Sequence, residues 1–316
     1  MSEHWSEYWS QGYLTSFGGE IKNNYEGILK KYWEKHFIKL DDDFNVLDLC
    51  TGNGSIPLLL EACLVKKVDR GTVVGVDMAR VKELDCQLHS TIDIKLLSNI
   101  NCQELPFEAE TFNKCTSQFG VEYSNLEITI KEVTRVLKFD GEAHFIMHNT
   151  NSEVLKLNQR TLSIITNPAV DDLFLNISEL INHMGEINSP LDLQKAKQNP
   201  VCEQYRKEVN KNINQIIKVD EEAAKQSELM MYIGDFFTKG IMWSINKKKE
   251  YLSFVINEIS TQRLRLTELK SAAMDLEKII MLLKKLPNEM SLISINQINE
   301  DSKVLAWEVT LKKNSK

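Results

Sequence analysis

At 316 residues with 42% hydrophobic side chains, the chain is long enough to pack one large domain or two modest ones. Its 45 acidic residues outweigh 38 Lys plus Arg, and the resulting net charge of −7 opposes polyanions and excludes nucleic acid as a favoured partner. Cys50, Cys63, Cys86, Cys102, Cys115 and Cys202 form no C-x-x-C pair, no run reaches the roughly 18 apolar residues of a membrane span, and the first residues lack a signal-peptide core. The expectation is a cytoplasmic protein with free thiols, no metal centre and no membrane insertion.

Residues 1–39 carry nine aromatic side chains, from Trp5, Tyr8 and Trp9 to Trp33 and Phe37, and are expected to form an aromatic-rich N-terminal helical cap. From Ile21 to Leu40 the apolar positions recur at three and four, which is helical spacing. Residues 40–150 then alternate β-rich runs with helical ones. Strands are predicted at 44–50, 72–77, 94–100, 112–118 and 143–148, with helices at 55–67 and 126–137. That alternation predicts an α/β fold, a mostly parallel doubly wound sheet covered on both faces.

Between residues 151 and 267 the strand signal stops, and a large all-helical insertion is expected, a lid, substrate or dimer subdomain. From 151 to 286 the spacing predicts four to six helices, with breaks at Ser189-Pro190 and Asn199-Pro200 and acids at Asp220-Glu221-Glu222. Met230, Met231, Tyr232, Phe236 and Trp243 read first as helix core, then as pocket wall or dimer contact. Residues 268–316 complete the sheet: a final helix with the stripe Leu269, Ala272, Ala273, Leu276, Ile279, Ile280 and Leu283, then a hairpin of 290–298 and 304–312 about a turn at 299–303.

The chemistry concentrates in Val46-Leu47-Asp48-Leu49-Cys50-Thr51-Gly52-Asn53-Gly54, a buried strand ending in a glycine turn directly before a helix. Glycine lets a backbone approach a ligand, and the helix start offers unpaired N–H groups. The dinucleotide pattern G-x-G-x-x-G fails, because its third glycine position is Pro57, and no P-loop pattern is present; a nicotinamide oxidoreductase is therefore disfavoured. Asp77 ends the next strand, where a carboxylate can accept both hydroxyls of a ribose.

These segments resemble the class I, Rossmann-like methyltransferases that use S-adenosyl-L-methionine (SAM), and most nearly the quinone-biosynthesis branch. VLDLCTGNG is similar to the first motif of that family, with Cys50 in place of a frequent glycine; Asn101-Cys102-Gln103-Glu104-Leu105-Pro106-Phe107 resembles its G-D-A-x-x-L-P-F stretch; and Glu132 to Gly141 resembles its E-x-x-R-V-L-K-P-G-G segment. The resemblance implies a seven-stranded sheet of order 3-2-1-4-5-7-6. It implies a SAM site built from Asp48, Thr51, Gly52, Gly54, Asp77, Met78, Asn101, Cys102 and Gln118, with S-adenosylhomocysteine as product. Leader spacing Trp5-x-x-x-Trp9-x-x-Gly12 resembles the closing segment of thiol and halide methyltransferases, which implies substrate or lid contacts for Trp9, Tyr13 and Phe17, with Thr15 and Gly18 beside them; an aromatic leader simply packed against the domain is the alternative, and Tyr123, beyond the fourth strand, is a further substrate-contact candidate.

Methyl transfer from a sulfonium asks mainly for alignment and exclusion of water, so a general base is optional. Glu122 and His148, beyond the ends of the fourth and fifth strands, are the candidates for that part. The fourth strand lacks an N-P-P-Y or D-P-P-Y end, which favours a small-molecule acceptor methylated on oxygen, carbon or sulfur. The alternatives are a protein methyltransferase and a silent SAM-binding module acting through its insertion; a homodimer through that insertion is also open.

Overall fold

The computed structural model describes residues 3–17, 23–82 and 91–315; Gly18, Ile21 and Cys86 lie outside the described residues. The chain divides into two compact units, Met1–Leu155 with Glu268–Lys316, and Lys156–Thr267. In chain order come α1 (Glu3–Ser10), α2 (Gly27–Phe37), β1 (Phe44–Leu49), α3 (Ser55–Leu64), β2 (Gly71–Val76), β3 (Ile92–Leu97), β4 (Phe112–Gln118), α4 (Leu126–Val136) and β5 (Leu137–His148). Then follow α5 (Glu153–Ile165), α6 (Pro168–Met184), α7 (Pro190–Gln198), α8 (Pro200–Ile217), α9 (Glu221–Gln226), α10 (Glu228–Asp235), α11 (Ile245–Ala272) and α12 (Leu276–Lys284). The hairpin of β6 (Met290–Glu300) and β7 (Lys303–Lys313) closes the chain.

The first unit holds one seven-stranded sheet of order β3-β2-β1-β4-β5-β7-β6, the order the resemblance implies. Strands β1 to β5 pair in parallel, and β7 runs antiparallel to both its neighbours. Because side chains alternate across a strand, neighbouring residues of β1 serve opposite faces. Val46 packs with Trp33 and Phe37 of α2 and Leu60 of α3, while Leu47 and Leu49 pack with Ile130 and Val133 of α4 and Ile279 of α12. Each such fully buried side chain contributes about 1.5–3 kcal/mol.

Several boundaries depart from the expected ones. Strand β5 begins at Leu137 rather than Ala143, with Asp140 at φ 62° and a register shift against β4 absorbing the irregular stretch. The expected five-residue turn of the hairpin contracts to Asp301 and Ser302, both at positive φ, as a type I′ turn requires. The expected final helix is two helices. Met274 N donates to His148 O at 2.8 Å and Thr150 N to Met274 O at 3.1 Å, so the chain between α11 and α12 is tied to the end of β5. Asp275 then caps α12, turning Ile279 and Leu282 inward and leaving Leu276 and Ile280 exposed.

The second unit carries most of a helical stretch more finely divided than expected: eight α-helices, not four to six, lie between residues 151 and 286, the last of them, α12, in the first unit. The reason is local capping. Asn167, Ser189, Asn199, Asp220 and Ser227 each accept a backbone N–H at a helix start, so long apolar-periodic runs are cut into pieces. Within this unit Phe236 joins Val170, Ile177, Ile216 and Ile259 in the core, whereas Met231 and Met242 are exposed.

The E-x-x-R segment on α4 has a structural task. Arg135 donates to Phe107 O at 2.6 Å and Leu105 O at 2.9 Å, and is ion-paired to Glu132, whose Oε2 accepts Leu105 N at 2.8 Å. Both residues thereby clamp the loop after β3. Arg135→Leu strands two carbonyls and a carboxylate and is expected to lower stability by about 1–3 kcal/mol. Urea unfolding with an unchanged midpoint would contradict this role.

Candidate functional site

Between β1 and α3 the backbone makes three left-handed steps, Cys50 at φ 56°, Gly52 at 53° and Gly54 at 86°. Glycine adopts these angles freely, but a side chain there pays strain, which marks Cys50 as a strained residue. Gly52 N then donates to Asp77 Oδ2 at 2.8 Å, and Ala79 N donates to Asp77 Oδ1 at 2.8 Å. One carboxylate therefore joins the turn after β1 to the turn after β2. Burial pushes its pKa up, against the pull of these two N–H groups. Deeper in β1, Asp48 accepts from Thr116 Oγ1 at 2.7 Å, and burial raises its carboxyl to about 7.

The leader lies directly on this turn. A Cβ added to Gly52 would stand 2.6 Å from the Trp9 ring, so the missing side chain is needed for the chain's own tryptophan. Asn53 pins the arrangement: its Nδ2 donates to Trp9 O at 2.9 Å and Tyr13 O at 2.7 Å, and its Oδ1 accepts Lys82 N at 3.0 Å. Trp9 stacks on Trp5 with centroids 6.2 Å apart, and Trp5 meets the edge of Tyr123 at 5.9 Å. An aromatic row thus runs from the glycine turn to the end of β4.

Beside this row opens a cavity of about 470 Å³. Asp77, Met78 and Ala79 wall it from the turn after β2, and Asn101, Cys102 and Gln103 from the loop after β3. Phe119, Glu122 and Tyr123 close it beyond β4, and Glu268 and Ser271 come from the last turns of α11. Asn101 Oδ1 accepts Gln103 N at 3.0 Å and Gln103 Nε2 at 3.2 Å, which fixes the amide in the wall. Glu122 is 5% exposed; its Oε1 accepts His148 N at 2.8 Å and its Oε2 has no hydrogen-bond partner. Burial raises this carboxyl to about 7. Glu268 Oε2 accepts both His4 Nε2 and Trp5 Nε1, each at 2.9 Å.

Of the sequence-derived residues, Trp9, Asp77, Met78, Asn101, Cys102, Glu122 and Tyr123 share the cavity. Asp48, Thr51 and Gln118 line a separate pocket of about 30 Å³ behind the turn, where Gln118 Oε1 accepts Trp33 Nε1 at 2.6 Å. Gly52 and Gly54 shape the turn without lining either space. Tyr13 and Phe17 do not reach the cavity: Tyr13 packs on Tyr8, and Phe17 on Tyr25 and Phe119. His148 is also off the wall. It is buried, stacked on Phe119 at 4.4 Å, and burial lowers its pKa to about 3, so its ring is neutral near pH 7 and a weak base. Sequence reasoning passed over Trp5, Asn53 and Glu268. The Trp5-to-Trp9 spacing held a signal for the first; nothing local marks Glu268, which reaches Trp5 only through the tertiary fold.

Several known proteins are similar to this chain. The ubiquinone/menaquinone biosynthesis C-methyltransferase UbiE of Agrobacterium fabrum is 30% identical over 105 residues, covering 32% of this chain and 40% of that one. The enzyme of the same name from Citrifermentans bemidjiense is 28% identical over 135 residues, covering 39% and 54%. The chain spans about half the length of these relatives. A solved SAM-dependent methyltransferase of Methanosarcina mazei is 14% identical, with a TM-score of 0.38, covering 93% of this chain and 100% of that one. The sequence model of the ubiE/COQ5 methyltransferase family matches residues 26–195, more than half of the chain, and the chain belongs to that family.

Proposed function

We propose that the chain transfers a methyl group from SAM to a small-molecule acceptor held in the 470 Å³ cavity. The observation that carries this reading is the position of Asp77, which borders that cavity while each of its oxygens accepts a single backbone N–H. A carboxylate oxygen has a second lone pair, so both retain capacity for a ribose hydroxyl. The residues therefore fit the cofactor: Asp77 would hold the sugar, Met78, Asn101 and Cys102 would flank the purine, and the turn from Cys50 to Gly54 with Trp9 would bound the remainder. Bound there, SAM supplies an electrophilic methyl on a positive sulfur. A space of this size suits a cofactor and a small acceptor; a peptide segment would need an open groove.

The protein's own contribution is alignment, dryness and a proton acceptor. Trp5, Trp9 and Tyr123 line one side of the space with apolar rings. Glu122 borders the same space, one carboxyl oxygen held by His148 N and the other buried without a hydrogen-bond partner, and takes the acceptor's proton. His148 is thus a positioning residue acting through its backbone.

Two outcomes test this reading. Asp77→Ala is expected to weaken S-adenosylhomocysteine binding by about 1.5–3 kcal/mol in calorimetry, and an unchanged affinity removes Asp77 from the site. Because Glu122 ionises at about 7, turnover should rise between pH 6 and 8, and Glu122→Gln should abolish that limb. Linkage fixes the sign for stability as well. A carboxyl raised on folding stabilises the fold below its unfolded value, and that contribution is lost as pH climbs through 7. Glu122→Gln should therefore melt higher than wild type at pH 8 and no higher at pH 4; a uniform effect across pH counts against a buried, titrating Glu122.

A further inference from the structure

Two thiols meet on the cavity wall. Cys50, from the turn after β1, and Cys102, from the loop after β3, both border the cavity, and their side chains hydrogen-bond to each other. They are far apart along the chain, so only the folded sheet brings them together. The surroundings hold them in place. A Cβ added to Gly120 would stand 2.3 Å from the Cys50 Cβ, so Gly120 gives up a side chain where Cys50 has one. Cys102 Sγ lies 3.7 Å from Thr129 Oγ1, itself 2.7 Å from Ser124 Oγ. Cys63 and Cys202 do not border the cavity, and Cys115 is fully buried in β4.

We propose that Cys50 and Cys102 form a modification site, at which a hydroperoxide joins the two sulfurs in a reversible disulfide on the cavity wall. The two thiols have different parts. The hydrogen bond with Cys50 lowers the pKa of Cys102, burial opposes this, and the Thr129 and Ser124 hydroxyls add to it. The same bond raises the pKa of Cys50, as do burial and the carboxylates of Asp77 and Glu122. Cys102 is therefore the attacking thiolate. Its sulfur takes one peroxide oxygen, the O–O bond breaks, and the other oxygen leaves as hydroxide and is protonated to water. The Cys50 sulfur then attacks the sulfenic sulfur of Cys102; the S–S bond forms, the S–O bond breaks, and the hydroxyl leaves with the Cys50 proton as a second water. Each sulfur gives up one electron, and the two peroxide oxygens take them.

The consequence for the nucleoside rests on the methyltransferase reading above; the bond itself does not. A disulfide holds its sulfurs at about 2.05 Å, nearer than any hydrogen bond allows. The Cys50 turn carries the Gly52 N–H that Asp77 accepts, and the Cys102 loop carries Asn101, so closing the bond shifts two sides of the nucleoside space. Oxidation and cofactor binding then oppose each other reciprocally.

The test treats the whole reduced chain with hydrogen peroxide, with and without saturating S-adenosylhomocysteine, and maps the cross-linked peptides by mass spectrometry. A peptide pair joined through Cys50 and Cys102, two hydrogens lighter than the reduced pair, is expected, and dithiothreitol should reverse it. Bound S-adenosylhomocysteine should slow its formation, and the oxidised chain should bind S-adenosylhomocysteine more weakly, each by about fivefold or more. Cys50→Ser should leave a Cys102 sulfenic acid that dimedone traps, whereas Cys102→Ser should give neither product. Thiols at Cys50 and Cys102 that survive peroxide in the wild-type chain overturn the proposal, as does a bond from either to another cysteine. An oxidised chain that binds S-adenosylhomocysteine as tightly as the reduced one overturns the opposition between them. If the reduced chain fails to bind S-adenosylhomocysteine at all, the cofactor reading falls, while the mapped bond upholds the modification site.

Discussion

The site depends on one carboxylate. Asp77 accepts the N–H of Gly52 from the turn after β1 and that of Ala79 from its own turn, and burial makes those bonds costly to lose. Gly52 in turn must lack a side chain because Trp9 sits against it, and Asn53 fastens the carbonyls of Trp9 and Tyr13 beside it. Turn, leader and second strand are thus one interlocked unit, and the cavity takes its shape from that unit. A helix N-terminus alone would bind anions; the added acid and rings redirect the site toward a ligand with hydroxyls and positive charge.

Much of the fold was legible because parallel strands buried on both faces leave a strong signal in the residue pattern. Val73-Val74 in β2 and the run from Ala143 in β5 mark their strands directly, and the hairpin shows itself as two β-rich runs about a charged turn. Less legible was anything set by tertiary bonds. The stripe from Leu269 to Leu283 reads as one helix until Met274 is seen pairing with the end of β5, and the capped pieces of the second unit merge into fewer helices when only periodicity is consulted. Side-chain caps such as Asn167 and Asp220 are common residues, and their capping role exists only once the chain has turned.

The site divides along the same line. Glycines at left-handed angles and an acid at a strand end are visible locally, so Gly52, Gly54 and Asp77 stand out. The spacing of Trp5, Trp9 and Gly12 pointed to Trp9 as a lid or substrate contact but not to its place against Gly52, and Glu268 gave no sign at all. His148 looked like a base because it ends a strand at the right edge; stacking on Phe119 and full burial turn it into packing, while its backbone N–H holds Glu122. Loss of water, not position along the chain, decides between those two candidates, and exposure is a property of the fold.

The most direct test of the account is a crystal structure of the complex with S-adenosylhomocysteine. It should place both ribose hydroxyls within hydrogen-bonding distance of the Asp77 carboxylate, with the Gly52 and Ala79 bonds to Asp77 retained and the purine against Met78 and Cys102. Density for the nucleoside elsewhere, or an Asp77 carboxylate turned away from the sugar, would contradict it.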